Sequence, residues 1–149
     1  MRIGLHGKDA HEKSSRLIEH MLGQLKERKA EIWVSEKFEK LVKPSLLADL
    51  KYKSFQLGDS LRSLDCFFSL GGDGTMLESV TYVGKAEVPI LGINTGRLGF
   101  LATTSRDDVD SALDAVFEGK YQVEKRTLLK LTSSTKLFEP RNFALNDIT

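Results

Sequence analysis

Leu64 to Val83 reads LDCFFSLGGDGTMLESVTYV. LDCFFSL is a short apolar run that reads as a strand, and TMLESVTYV carries a helical pattern. Between them three glycines and one aspartate make a tight turn. Glycine costs backbone entropy, so that many in one turn implies a positive φ or a group that approaches the backbone closely. Two readings compete: a turn that only lets a strand reverse into a helix, or a cradle for phosphate.

Working outward, MRIGL fits a first strand and HGKDA a turn into a helix, with Asp9 and Glu12 at capping-box-like spacing. Leu17, Ile18, Met21, Leu22 and Leu25 fall on one helical face. AEIWVS reads as a second strand, and a helix beginning at Pro44 turns Leu46, Leu47 and Leu50 inward. After LDCFFSL and its helix, VPILGIN is almost wholly apolar, as a buried parallel strand should be. This alternation predicts an α/β fold, an open and mostly parallel sheet with flanking helices, over residues 1–102. TTSRDDVDSALDAVFEG predicts a connecting helix within 103–120, capped by Ser105, ended by Gly119, with Val109, Ala112, Leu113, Val116 and Phe117 on one face. From Tyr121 the pattern is strand-like. Residues 121–149 are expected to open a β-rich second domain that is incomplete here, so a truncated chain is the expectation.

Composition narrows the function classes. The 22 basic and 21 acidic side chains nearly cancel with no long single-sign run, which argues against a nucleic-acid backbone or an anionic membrane as the main partner. No apolar run approaches membrane-spanning length, and MRIGLHG lacks the apolar stretch of a signal peptide. Cys66 is the single cysteine, which rules out an internal disulfide; a reducing, cytoplasmic setting fits. Between Asp65 and Phe67 it reads as a small strand residue rather than a nucleophile.

A strand, then GGDGT, then a helix sets several backbone N–H groups at a helix N-terminus, where unpaired donors and the helix dipole attract anions. Gly71, Gly72 and Gly74 remove side chains that would keep a phosphate away, and Thr75 adds a hydroxyl that can cap the helix. Asp73 is the informative residue, because a carboxylate repels phosphate and a pure anchor would avoid it. It makes sense facing a hydroxyl to be activated, or a magnesium ion riding on phosphates. Chance produces this pentapeptide in roughly one chain of this length in ten thousand, so accident is a weak explanation. GxxxxGK[ST] and a GxGxxG after a strand are both absent, which leaves Gly7 and Lys8 as a turn and a solvated lysine.

LGINTGRLGFL, Leu91 to Leu101, is the second concentration of signal. Gly92, Gly96 and Gly99 bracket a loop at the carboxyl end of a parallel strand, where α/β sheets bind ligands. Asn94, Thr95 and Arg97 are its polar groups. Phe100, taken alone, reads as a core plug, and Arg97 as solvated or ion-paired. GGDGTML, GINTGRLGFL and ALNDI in this order and spacing resemble the NAD kinase family from about Asp65 onward. The first motif is shared with lipid kinases and loosely with phosphofructokinases; the second is far more specific.

The resemblance implies phosphoryl transfer from ATP, or in some members polyphosphate, to the 2′-hydroxyl of the adenosine ribose of NAD, giving NADP with a divalent metal such as Mg2+. It makes Asp73 the proton acceptor, has Gly71, Gly72, Gly74 and Thr75 hold phosphate, and puts Phe100 in the adenosine pocket. Asn146 and Asp147 match the Asn–Glu pair that hydrogen-bonds adenosine, with one methylene less reach at Asp147. A homo-oligomer at full length is also implied, with these 149 residues alone inactive or nearly so. The rivals are a lipid or other small-molecule kinase sharing GGDGT, and a non-catalytic NAD or ATP sensor. GINTGRLGF counts against the first and Asp73 against the second. The histidines get the bland reading: His11 and His20 as solvated, and His6, which ends the first strand near the presumed crevice, with ligand contact only as the lesser alternative.

Overall fold

A computed structural model describes residues 1–8, 12–96, 99–132, 134 and 142–145. Its centre is a five-stranded parallel sheet in the order β3-β2-β1-β4-β5. The strands are β1 (Arg2–Gly7), β2 (Glu31–Ser35), β3 (Tyr52–Phe55), β4 (Cys66–Leu70) and β5 (Ile90–Ile93). The α/β reading and the parallel sheet therefore stand. Helices α1 (Glu12–Glu27), α2 (Glu36–Glu39), α3 (Pro44–Leu47), α4 (Asp73–Val83) and α5 (Val109–Phe117) connect or flank them. A short antiparallel pair, β6 (Leu129–Lys130) and β7 (Phe143–Ala144), lies outside this sheet.

Strand alternation divides the core into two faces. Ile3 and Leu5 of β1, Ile32 and Val34 of β2, and Cys66, Phe68 and Leu70 of β4 join one cluster. Ile18, Met21, Leu22 and Leu25 of α1 and Val109, Leu113 and Val116 of α5 cover that face. On the other, Phe67 meets Phe55, Leu61, Leu64, Val83 and Val88, with Tyr82 of α4 packed against them. Because β4 is buried along its whole length, it carries both cores at once. Cys66 lies within it, its thiol 3.4 Å from the Pro89 carbonyl, and burial pushes that thiol up to about 11.

Three local expectations are corrected. The helix at Pro44 is a single turn, although Leu47 is buried and Leu46 and Leu50 pack against the core. Strand β3 and helix α2 had no counterpart in the pattern. YKSF is an edge strand with Lys53 and Ser54 in solvent, and α2 is four residues capped by Ser35. Ser105 does not cap α5: Asp108 takes that position, and the Ser105 hydroxyl donates to its carboxylate at 2.5 Å. Asp9 and His11 lie outside the described residues.

The sheet order sets the site. From β1 the chain crosses to β2 on one side, while β4 lies on the other, so neighbouring connections diverge between the carboxyl ends of β1 and β4. Parallel sheets of this kind take ligands in the crevice at such a switch point. The GGDGT turn begins there, directly after Leu70, which pairs with Gly7. Phe68 is fully buried. Replacing it with alanine is expected to cost about 3–5 kcal/mol of stability, measured as the loss of unfolding free energy in urea.

Candidate active site

Asp73 opens α4, with Gly72 as an extended N-cap that has no side chain to contribute. Thr75 therefore does not cap the helix; it is buried within the first turn, three residues past the cap. Gly71 has φ 152°, and a Cβ there would stand 2.2 Å from the Thr75 hydroxyl oxygen, so no other residue fits. Gly72 and Gly74 differ: nothing lies within 4 Å of where a Cβ would be. The space beside these two is open at a helix N-terminus, where the first N–H groups have no intrahelical acceptor. The cradle reading keeps its physical basis at Gly72 and Gly74, while Gly71 serves the turn.

The Asp73 carboxylate is held by three successive backbone donors. Phe100 N–H donates to Oδ2 at 2.9 Å, and Leu101 and Ala102 N–H donate to Oδ1 at 2.8 and 3.1 Å. Hydrogen bonds from Phe100, Leu101 and Ala102 favour the ionised form and hold this carboxyl below its usual range. A Cβ on Gly99 would sit 2.2 Å from Oδ1, so the loop's last glycine makes room for the carboxylate. One Oδ2 lone pair remains for a further donor.

The loop that supplies these donors is itself fixed to β5. Asn94 N–H donates to Thr104 at 2.8 Å, Thr104 N–H donates to Gly92 at 3.2 Å, and a Cβ on Gly92 would meet the Ala102 Cα at 2.8 Å. The buried Asn94 side chain accepts from Gly96 N–H at 2.8 Å and donates to the Ala102 carbonyl, so it shapes the loop. Arg106 donates to the Thr95 carbonyl. Phe100 is no core plug: its ring is 93% exposed while its N–H is bound to Asp73. The structure thus joins Asp73 and Phe100, two predicted site residues from different motifs. Arg97, Asn146 and Asp147 lie outside the described residues.

A second polar group sits beside the turn, and sequence reasoning did not assemble it. His6 is wholly buried with its Nδ1 2.8 Å from Ser35 Oγ. Ser35 Oγ also accepts the Phe38 N–H at 3.3 Å, and the other ring nitrogen, Nε2, lies 3.7 Å from Glu78 Oε2. Burial pushes His6 down to about 4, against the attraction of Glu78. Lys8 donates to the Gly74 carbonyl at 3.0 Å and lies 2.9 Å from Glu78 Oε2, while Lys37 reaches Oε1 at 2.6 Å. Partial burial alone would raise the Glu78 carboxyl, but Lys37 and Lys8 outweigh it and bring it down to about 2. Lys8 is therefore not simply solvated. No local spacing could show this, because its partners are 66 and 70 residues away. His20 is exposed and bonded to Asp110 at 2.6 Å.

The ATP-NAD kinase N-terminal domain family matches residues 3–121. The chain belongs to the NAD kinase family. An NAD kinase of Cytophaga hutchinsonii is 39% identical over 148 residues, 99% of this chain and 51% of that relative. One of Christiangramia forsetii is 36% identical over 151 residues, again 51% of its length. This NAD kinase family chain thus spans about half the length of the curated relatives it matches. A crystal structure of yeast NADH kinase complexed with NADH superposes with a TM-score of 0.70 over 90% of this chain and 44% of that one. At 19% identity that likeness speaks to the fold.

His6 gives stability a pH dependence with a definite sign. Its folded value of about 4 lies below the ordinary 6.5, so the unfolded chain binds the proton first as pH falls. Its contribution is complete above about pH 6.5 and is lost on the way down to about pH 4. Unfolding free energy is expected to drop by roughly 2 kcal/mol between pH 7 and pH 5, and the drop should be largely absent in His6→Gln. A separate expectation concerns Asp73→Asn, which turns one acceptor oxygen into a donor facing N–H groups. Hydrogen exchange at Phe100, Leu101 and Ala102 should rise at least tenfold, with the α1 amides unchanged.

Proposed function

We propose that this chain is the phosphate-binding half of an NAD kinase, transferring a phosphoryl group from ATP or polyphosphate to the 2′-hydroxyl of the adenosine ribose of NAD. The observation that carries the reading is the Asp73 carboxylate, kept ionised by Phe100, Leu101 and Ala102 at the mouth of the switch-point crevice. Phosphoryl transfer through a loose transition state depends chiefly on positioning and charge neutralisation. An oriented carboxylate with one lone pair to spare suits that demand. In this reading it aligns the ribose hydroxyl and takes its proton as the new P–O bond forms.

Gly72 and Gly74 leave the backbone open to the donor's phosphates, and the exposed Phe100 ring is available to stack on the adenine. A divalent cation such as Mg2+ is commonly held by one or two carboxylates together with the donor's phosphates, and Asp73 is the acid placed to share it. It would neutralise charge on the transferring group. Asn146 and Asp147 are assigned to the adenosine part of NAD on the motif alone, and the strand-like residues 121–149 to the beginning of the second, β-rich domain.

The test uses a chain of the relatives' full length, incubated with NAD, ATP and magnesium, with NADP read by an NADP-specific dehydrogenase. Wild type should form NADP, and Asp73→Asn should lose roughly 10²-fold or more in kcat. Isothermal titration should show a much smaller change in NAD affinity. Equal losses in rate and affinity would reduce Asp73 to a loop anchor. NAD bound without turnover in the wild type would favour the sensor instead.

A further inference from the structure

The ion cluster beside the GGDGT turn has a feature that a structural salt bridge does not require. Lys8 at the end of β1 and Lys37 at the start of α2 come from neighbouring strand ends and converge on one carboxylate, Glu78. Two ammonium groups against one carboxylate leave this cluster itself with a net charge of +1. Lys8 spends one N–H on the Gly74 carbonyl and one on Glu78, which leaves its third donor; Lys37 has two left beyond Glu78. Their side chains are 43% and 52% exposed, whereas Glu78 is mostly covered. The cations therefore face outward and the anion inward. Beneath them the neutral His6 ring, held by Ser35, supports Glu78 from inside the sheet.

This arrangement fixes the Lys8 ammonium on the carbonyl of Gly74, one of the two glycines of the turn whose Cβ positions are open. Ordinary exposed lysines lose considerable side-chain entropy when they hold a ligand. Here part of that loss is already met by the contacts with Gly74 and Glu78. We infer that Lys8, positioned by Glu78 and assisted by Lys37, binds the polyphosphate tail of the phosphoryl donor beside the turn. The inference rests on the kinase reading but concerns one residue that neither motif contains. A lysine suits the task because its ammonium is a point charge that can follow a phosphate oxygen as charge shifts during transfer.

The experiment titrates inorganic tripolyphosphate, and separately ATP, into the full-length chain by calorimetry, with Lys8→Ala, Lys8→Arg and Lys37→Ala beside the wild type. Lys8→Ala should weaken both probes about tenfold, Lys8→Arg should recover most of the loss, and Lys37→Ala should weaken them by a smaller factor. NAD affinity should stay within twofold, and in turnover the KM for ATP should rise while that for NAD holds. A purely structural ion pair would instead alter both substrates alike. The inference is overturned if wild type binds neither probe, if tripolyphosphate binding ignores Lys8→Ala, if arginine is no better than alanine, or if NAD affinity falls by the same factor. Lys8-dependent tripolyphosphate binding in a wild type that makes no NADP would leave the phosphate subsite standing and remove the kinase reading.

Discussion

One carboxylate held by three backbone N–H groups organises this molecule's functional end. Asp73 lies at the first turn of α4, and all but one of its acceptor lone pairs are filled from Phe100, Leu101 and Ala102. Gly99 must lack a side chain to admit it, and Gly92 must lack one so that Ala102 can lie against β5. The loop is then tied to β5 through Asn94 and Thr104. An ionised acceptor at a helix N-terminus is also favoured by the helix dipole. A single side chain thus connects two glycine-rich segments that are separate in sequence, and Gly99 of the second is explained by Asp73 of the first.

The polar interior beneath the turn is only partly paired, since His6 Nε2 and Glu78 Oε2 are buried there without a hydrogen-bond partner. His6, Ser35 and the Phe38 N–H form a short chain of hydrogen bonds from β1 through β2 into α2. Glu78 continues it electrostatically into α4, where Lys8 and Lys37 keep it ionised. The sheet is therefore joined to the helices on both sides by packing at its middle and by polar contacts at its carboxyl end. The ammonium groups of Lys8 and Lys37 sit at the rim, where they are part-exposed.

Long and strongly periodic elements were legible. Helix α1 shows its buried face in Ile18, Met21, Leu22 and Leu25, and β4 and β5 announce themselves as apolar runs. Strand β3 was not legible because an edge strand with solvent on most sides needs little hydrophobic pattern, and α2 is too short to show a period. At the candidate site, GGDGT and the GINTGRLGF loop could be located, and Asp73 and Phe100 were each singled out by their motifs. Their mutual contact was hidden, since the partners of Asp73 are backbone groups that every residue type but proline possesses. The Lys8–Glu78–Lys37 cluster was hidden by distance along the chain. Ordinary charged residues carry no mark of their partners until a parallel sheet brings them to one edge.

Cys66 has a consequence of a different kind. It is the only thiol in the sequence, it lies on the strand that both cores share, and burial makes its ionisation difficult. Because thiolates and not thiols react with alkylating reagents, such a group stays silent while the central strand is covered. The chain thus carries its own reporter: the rate of labelling at this one atom counts how often the middle of the sheet comes apart, without any engineered probe.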